Sequence, residues 1–554
     1  MELRNDEITM SSTNPLFRYA FWAIAIFITT QTLVFLYRNL TSPLRSVPGP
    51  FLARFGRIYY FVRVALGRWE HDDIALHRTY GPVVRVGADL YSVDSPEIVK
   101  KVYSIGSKFP KNDWYDAWRH PDPNRWTLFP DRDMKRHAET RKRFQAMYSM
   151  SSLVNYEGYV NECTAIFRER LSEFAESGET IDMAHWLQCY AFDVIGNITY
   201  SQRFGFLDRG DDIAGLLKAL HGVLRYGALV GIYASWHPLI FSISSRLGVG
   251  GASARTYLMK YVQQRIESRK AKDKTGNGVE EVGERDEGAP MDFLHKLMVA
   301  NKEDPERVTP YHVFVQRSDI LQMMGLSNII AGSDTTAVSL SSILYNLMKY
   351  PSTLKKLREE IKHFEEQGRC GNPNVSFKES QDMPYLQAVM KESLRIHAAT
   401  GLPLWRVVPE GGVEICGYFF PEGTTIGINT WCAHYNEDVF GPDVKEFRPE
   451  RWIEAEKEGG ETFKNMEAYY MPVSIGFFLA AVVSVTDLTV LEFGLGSRTC
   501  IGRHISFLEM SKLIPQIVRK FDFQLEYPDR PWSTENNWFI KPTDFRVKVK
   551  IRQE

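Results

Sequence analysis

From residue 153 to 266, apolar side chains return every three or four positions in one segment after another, and the same spacing runs from about 319 to 348. That period gives each helix one apolar stripe and predicts a body of packed helices. Shorter helical patterns end at Tyr80-Gly81-Pro82 and cover 135–148. Strand-like runs are few. Val83-Val84-Arg85-Val86 and Leu90-Tyr91-Ser92-Val93 alternate on either side of Gly87-Ala88-Asp89, as a small hairpin does. Val413-Glu414-Ile415 and Thr424-Thr425-Ile426-Gly427-Ile428 are the others. The expectation is a mainly α body with small β-sheets, and a length of 554 residues by itself suggests two to four domains.

Residues 19–37 carry no charge and are about as long as a bilayer-spanning helix must be, although Thr29, Thr30, Gln31 and Thr32 dilute them. Glu2, Asp6 and Glu7 precede this stretch; Arg38, Arg45, Arg54 and Arg57 follow it. The positive flank stays cytoplasmic, so 1–18 is expected in a lumen and the body in the cytosol. No small-x-small cleavage site follows, which weighs against a removed signal peptide. Pro43, Pro48, Gly49 and Pro50 make 38–50 a semi-rigid spacer and leave 51–554 as the folded unit. Residues 224–243 are also apolar, but Gly227, Gly231 and Pro238 interrupt them, and they are not read as a second span. Residues 270–288, charged and glycine-rich, are expected to form a mobile surface loop.

Composition narrows the partners. The 554 residues are 44% hydrophobic and 24% charged, with net charge −1, so no polybasic or polyacidic partner such as nucleic acid is implied. The six cysteines (Cys163, Cys189, Cys370, Cys416, Cys432 and Cys500) form no CxxC pair. That argues against a disulfide framework or structural zinc and fits a reducing compartment.

The chemistry concentrates in a few short motifs. Near the C-terminal end, Phe493, Gly496, Arg498, Cys500 and Gly502 fit Phe-x-x-Gly-x-Arg-x-Cys-x-Gly. A cysteine in a tight glycine turn can present a thiolate to a metal with backbone N–H groups aimed at the sulfur, and Arg498 can bind a haem propionate. Within the 319–348 helix, Ala331-Gly332-Ser333-Asp334-Thr335-Thr336 places an acid and hydroxyls where local propensity disfavours them. A carboxylate and a hydroxyl beside a groove suit proton delivery to bound dioxygen. Glu392 and Arg395 are three apart on one helix, and Phe447-Arg448-Pro449-Glu450-Arg451-Trp452 brings a further arginine. His137 and Arg141, four apart, share a helix face.

In this order, the motifs resemble those of the cytochrome P-450 family over roughly Pro48 to the end. The resemblance implies a single large, mainly helical domain with small β-sheets, and haem b with Cys500 as axial iron ligand and Phe493 and Gly496 in the haem loop. It gives His137, Arg141, Arg406 and Arg498 to the propionates. Glu392, Arg395 and Arg451 become a buried triad behind the haem, Thr335 orients the oxygen ligand, and Asp334 relays protons. The residues 399–402 would line the substrate side. The implied reaction is a monooxygenation of an apolar small molecule with O2, fed by a separate NADPH-cytochrome reductase, on a single-pass protein of the endoplasmic reticulum. A haem-thiolate isomerase or dehydratase is the alternative, which intact Asp334 and Thr335 disfavour. The 109–118 and 135–148 regions resemble fungal secondary-metabolism members.

One stretch departs from the family pattern. Met471-Pro472 leads into Val473 to Glu492, with the apolar run Phe477-Phe478-Leu479-Ala480-Ala481-Val482-Val483, before Phe493-Gly494 begins the haem loop. Val-Ser can be encoded GTG-AGT, a 5′ splice site; Glu codons can end in AG; Thr486-Asp487 can contain the branch sequence CTGAC. Twenty residues correspond to 60 nucleotides, a fungal intron length. The expectation is a retained intron, whose removal joins Pro472 to Phe493. A genuine family insertion is the competing reading, and a third is an inactive chain that the insertion leaves unable to seat haem.

Overall fold

A computed structural model describes residues 41–553 apart from 123–126, 150–151, 153, 275–291, 297–317, 372–373 and 472–497, with scattered helical positions from 19 to 33. Helix α1, Trp69–Tyr80, stops at Gly81 (φ 91°), and Pro82 follows with no N–H to continue the ladder. Strands β1 (Val83–Arg85) and β2 (Leu90–Val93) form the expected antiparallel hairpin. Every residue of both is buried, so their alternation does not mark a wet face. Helix α2, Met134–Phe144, starts at Asp133, whose carboxylate accepts the Arg136 N–H at 3.0 Å. Helix α3, Glu157–Ser177, ends at Gly178 in the left-handed conformation. After β3 (Thr180–Asp182), the Asp182 carboxylate caps α4, Met183–Tyr200, which is buried along most of its length.

Helix α5, Leu216–Val230, continues through a 3-10 stretch, Gly231–Trp236, into α6, His237–Leu247. The run Ile213–Leu247 is long and apolar enough to cross a membrane by composition. It is broken at Tyr233 (φ −122°, ψ 57°), and both α5 and α6 pack against α7, Gly250–Lys274. Helix α7 therefore extends into the 270–288 run expected to be loop, because its Lys, Arg and Ala residues are good helix formers. The remainder of that run lies outside the described residues.

Helix α8, Ser318–Lys349, is the centre of the body. It packs on α4 and α7, then on α9 (Pro384–Ile396) and, further along the chain, on the helix Arg503–Lys520. Strands β4 (Arg406–Val407), β5 (Val413–Ile415), β6 (Tyr418–Phe420) and β7 (Thr425–Gly427) follow α9. They include β6, which pairs with β5 but carries no alternation of its own. Helix α10, Arg503–Lys520, leads into β8 (Phe521–Leu525), β9 (Ser533–Asn537), β10 (Phe539–Thr543) and β11 (Arg546–Ile551). One sheet has the order β1-β2-β7-β4, a second β3-β11-β8, and β9-β10 is a separate hairpin.

The proline segment before the body is pinned to it. The Arg85 N–H donates to Pro48 O at 2.8 Å, Arg85 Nη2 donates to Leu44 O at 2.6 Å, and Leu44 and Val47 are buried. A Cβ at Gly49 would meet Arg85 O at 2.3 Å, so only glycine allows this approach. Tyr19, Phe21, Trp22, Ile26 and Leu33, within the expected anchor, are exposed.

Candidate active site

Cys500 lies immediately before α10. The backbone N–H groups of Gly502 and Arg503 point at its sulfur. Burial pushes the thiol up, while those N–H groups and the Arg141 and Arg503 guanidinium groups pull it back. Arg141, on the face of α2 that also carries His137, donates to Thr499 O beside the cysteine. Arg498 Nη1 donates to Asp131 O at 2.7 Å, and its Nη2 is buried with no partner among the described residues. Phe493 and Gly496 lie outside the described residues, as does 473–492.

Cations converge here. Burial first, then Arg406, lowers Arg498 to about 10. Burial, with Arg406, Arg498 and Arg141 around it, holds Lys111 well below its ordinary value. His137 is buried and pushed down to about 2 by burial and by Arg498, Lys111, Arg141 and Arg406, so its imidazole is neutral. Arg406 Nη1 donates to Trp405 O at 2.9 Å, and its guanidinium sits over the Tyr103 ring at 5.0 Å. Lys111 bridges to Arg406 through the backbone. Asp131 is the acid that offsets Lys111 and Arg498, and Arg136 already binds it at 2.8 Å. A buried cluster this short of negative charge is built to receive an anion. Lys111 and Asp131 belong to no motif and were not singled out from the sequence.

On α8, the Asp334 carboxylate is buried and paired with Lys541 Nζ of β10 at 2.6 Å, and it also accepts from Gln188 Nε2 of α4. Thr335 Oγ1 donates to Ala331 O at 2.7 Å, one turn back. Gly332 fits against α4, where a Cβ would meet the Ile195 side chain at 3.0 Å. The 399–402 segment docks on the β9-β10 hairpin: the Ile540 N–H donates to Ala399 O and the Gly401 N–H to Trp538 O, both at 3.0 Å.

Glu392, Arg395 and Arg451 meet in the interior. Arg395 Nε and Nη2 donate to the two Glu392 oxygens at 2.9 and 2.8 Å, and Arg451 Nε donates to Oε1 at 2.9 Å. Trp452 Nε1 adds a bond to Oε2 at 2.9 Å. The remaining guanidinium N–H groups donate to His434 O, Phe440 O, Val444 O, Asp443 O and Glu446 O, so the charges are fully partnered.

A second sulfur cluster has different chemistry. Asp73, His77 and Cys432 bring ligand-type atoms within 4.8 Å of one another. Ser92 and Asn429 already donate to Asp73 Oδ2 at 3.2 and 3.1 Å, and the His77 ring reaches Gly81 O and Ser92 Oγ, both at 2.9 Å. Burial and then the Asp73 and Asp94 carboxylates push the Cys432 thiol well up. This is a hydrogen-bonded joint between α1 and β2, unsuited to a thiolate, whereas the Cys500 turn opposes burial with N–H groups and cations.

A family model described as Cytochrome P450 matches residues 57–549. The chain is 38% identical over 540 residues to a pisatin demethylase of Fusarium vanettenii, covering 96% of this chain and 95% of that one. It is 33% identical over 534 residues to a cytochrome P450 monooxygenase of Aspergillus terreus, covering 94% and 97% of the two chains. A cytochrome P450 monooxygenase of Emericella nidulans, cicH, is 33% identical over 518 residues, covering 92% and 94%.

Proposed function

The chain belongs to the cytochrome P450 family, and from that premise we propose a haem-b monooxygenase with Cys500 as its iron ligand, acting on an apolar small molecule of fungal secondary metabolism. The enzyme is an oxidoreductase that incorporates oxygen, with a cysteine-held haem and a redox partner, as its family is. The observation that carries the finer reading is the convergence of Lys111, Arg141, Arg406 and Arg498 beside the Cys500 turn, where Asp131 offsets Lys111 and Arg498. Haem brings two carboxylates. Arg498, through the Nη2 that has no partner among the described residues, together with Arg406, Arg141 and neutral His137, would hold them. When bound, haem supplies the redox chemistry.

The chain's own groups do the rest. The N–H groups of Gly502 and Arg503 steady the sulfur and temper its basicity. Asp334, held by Lys541 and Gln188, keeps a carboxylate in place to take up and return a proton. Thr335, its hydrogen committed to Ala331 O, leaves oxygen lone pairs as acceptors. Glu392, Arg395 and Arg451 tie α9 to the 434–452 segment and hold that side of the pocket.

Electrons come from an NADPH-cytochrome reductase. The relative named pisatin demethylase supports a small organic substrate. Residues 1–18 are lumenal, 19–37 form the anchor, 38–50 the spacer and 51–554 the cytosolic domain, at the endoplasmic reticulum. Exposed apolar side chains support a membrane location: Phe51, Leu52, Phe55, Ile58 and Val62 in one segment and Trp236, Leu239 and Ile243 in another, the two segments being joined by Arg57 Nη1, which donates to Ile232 O at 2.9 Å. Residues 473–492 are a translated intron. The chain on either side of the undescribed residues is firmly held, with the Met471 N–H on His434 Nε2 at 2.9 Å and Arg498 on Asp131 O at 2.7 Å.

The test is the carbon monoxide difference spectrum after dithionite reduction, on the full chain and on one lacking 473–492. A red-shifted thiolate Soret band in the shortened chain is expected. A band in neither removes Cys500 as ligand. Equal bands in both, with transcripts that retain the 60-nucleotide block, overturn the intron. NADPH-dependent oxygen consumption separates a monooxygenase from an isomerase or dehydratase.

A further inference from the structure

Aromatic rings form a wall beside the cation cluster. Trp114 and Trp118 come from the 3-10 stretch Asp113–Trp118, and Trp538 sits between β9 and β10. Ring centroids are 4.8 Å apart for Trp114 and Trp538, 5.2 Å for Trp114 and Trp118, and 5.8 Å for Trp118 and Phe129. Tyr115 joins the wall to the site already described: its hydroxyl lies 3.4 Å from Arg406 Nη1, and Lys111 Nζ sits over its ring at 4.3 Å.

Several features place these rings at a cost that ordinary core packing does not require. Gly227 and Gly231, one turn apart at the end of α5, open a notch for them. A Cβ at Gly227 would meet the Trp118 ring at 2.6 Å, and one at Gly231 would meet Trp114 O at 2.6 Å. Trp538 has φ 84°, a conformation that strongly disfavours a bulky side chain. It is held there by its N–H on Asn536 Oδ1 at 3.1 Å and by its carbonyl on the Gly401 N–H at 3.0 Å. Trp114 Nε1 donates to Ala228 O at 3.1 Å, but Trp118 Nε1 is buried with no acceptor among the described residues. A buried indole N–H normally finds an acceptor.

We propose that this wall is the substrate face of the enzyme and selects a flat aromatic molecule with a neutral acceptor oxygen, which takes the Trp118 N–H. The inference rests on the monooxygenase reading and adds the substrate class to it. Tilted and edge-on rings favour an aromatic guest over a saturated one of equal size. An acceptor oxygen satisfies the donor that a saturated hydrocarbon would leave unpaired.

The experiment uses the haem-loaded enzyme with its carbon monoxide band verified, and reads the substrate-induced shift of the Soret band. The probes are flavone, flavan (both benzene rings, no carbonyl) and the non-aromatic terpenoid sclareol. Flavone is expected to bind about tenfold or more tighter than sclareol. Trp118→Phe should weaken flavone by roughly five- to tenfold and leave flavan within about twofold. Trp538→Ala should erase the preference for flavone over sclareol. Sclareol binding as tightly as flavone overturns the inference, as do equal losses for flavone and flavan in Trp118→Phe. Because the carbon monoxide band is recorded on the same preparation, that result leaves the monooxygenase reading standing.

Discussion

Arg451 Nε donates to Glu392 Oε1 at 2.9 Å, with both side chains buried and 59 positions apart in sequence. Glu392 is also the sole carboxylate bound to the Arg395 side chain among the described residues. Removing it strands the Arg395 cation in the interior and leaves Arg451 with Asp443 alone, at 2.9 Å. Glu392→Ala is therefore expected to cost about 3–5 kcal/mol or more of stability, measured as the shift of the urea unfolding midpoint. A loss below about 1 kcal/mol, the scale of an exposed ion pair, would contradict this account.

The two sulfur clusters make opposite predictions. Cys500→Ser should abolish the red-shifted reduced carbon monoxide band. Cys432→Ser should retain it, because Cys432 serves the Asp73 joint and not the cation cluster. The reverse result would move the haem to another part of the fold.

Arg498 Nη2 has no partner among the described residues. In the proposed haem site, Arg498→Leu removes one charge-assisted bond to a propionate, of about 1.5–3 kcal/mol. Haem transfer to apomyoglobin should accelerate by roughly 10- to 100-fold. Unchanged transfer would show that the orphan Nη2 does not meet the cofactor.

Asp334→Asn keeps the hydrogen bond from Gln188 but loses the ion pair with Lys541 and the proposed proton carrier. With reductase present, NADPH oxidation should slow by about 10- to 100-fold and its solvent deuterium isotope effect should rise. A slower rate with an unchanged isotope effect would make Asp334 structural.

Stability should also respond to pH through Glu70, which is fully buried and accepts from Asn536 Nδ2 at 2.7 Å. Burial raises its carboxyl from 4.5 to about 7. The folded state then binds a proton that the unfolded state has released, so this contribution is full below 4.5 and is lost as pH rises through 7. Glu70→Gln should remove about 3 kcal/mol of that pH dependence and melt higher than the parent at pH 8. Parallel melting profiles for the two proteins would refute the assignment.

Local spacing made much of this legible. His137 and Arg141 four apart, and Glu392 and Arg395 three apart, had to share helix faces, and they do. The 319–348 pattern fell within one residue of the helix Ser318–Lys349. What the sequence hid comes from distant segments. Lys541 reaches Asp334 from β10, Lys111 reaches the cluster from a loop, and the notch at Gly227 and Gly231 makes sense only once Trp118 and Trp114 are seen to fill it. Strands β8 to β11 passed unnoticed because the burial of short paired strands depends on their partners more than on a periodic pattern.

The Glu392 network needs nothing beyond residues 392 to 452: its carboxylate, its two guanidinium groups and the carbonyls that receive them all lie within that stretch. It can assemble before the cysteine turn is made and without a cofactor. Damage confined to the turn should therefore give a well-folded, colourless protein that survives purification, and in preparations of this enzyme pallor and misfolding must be scored separately.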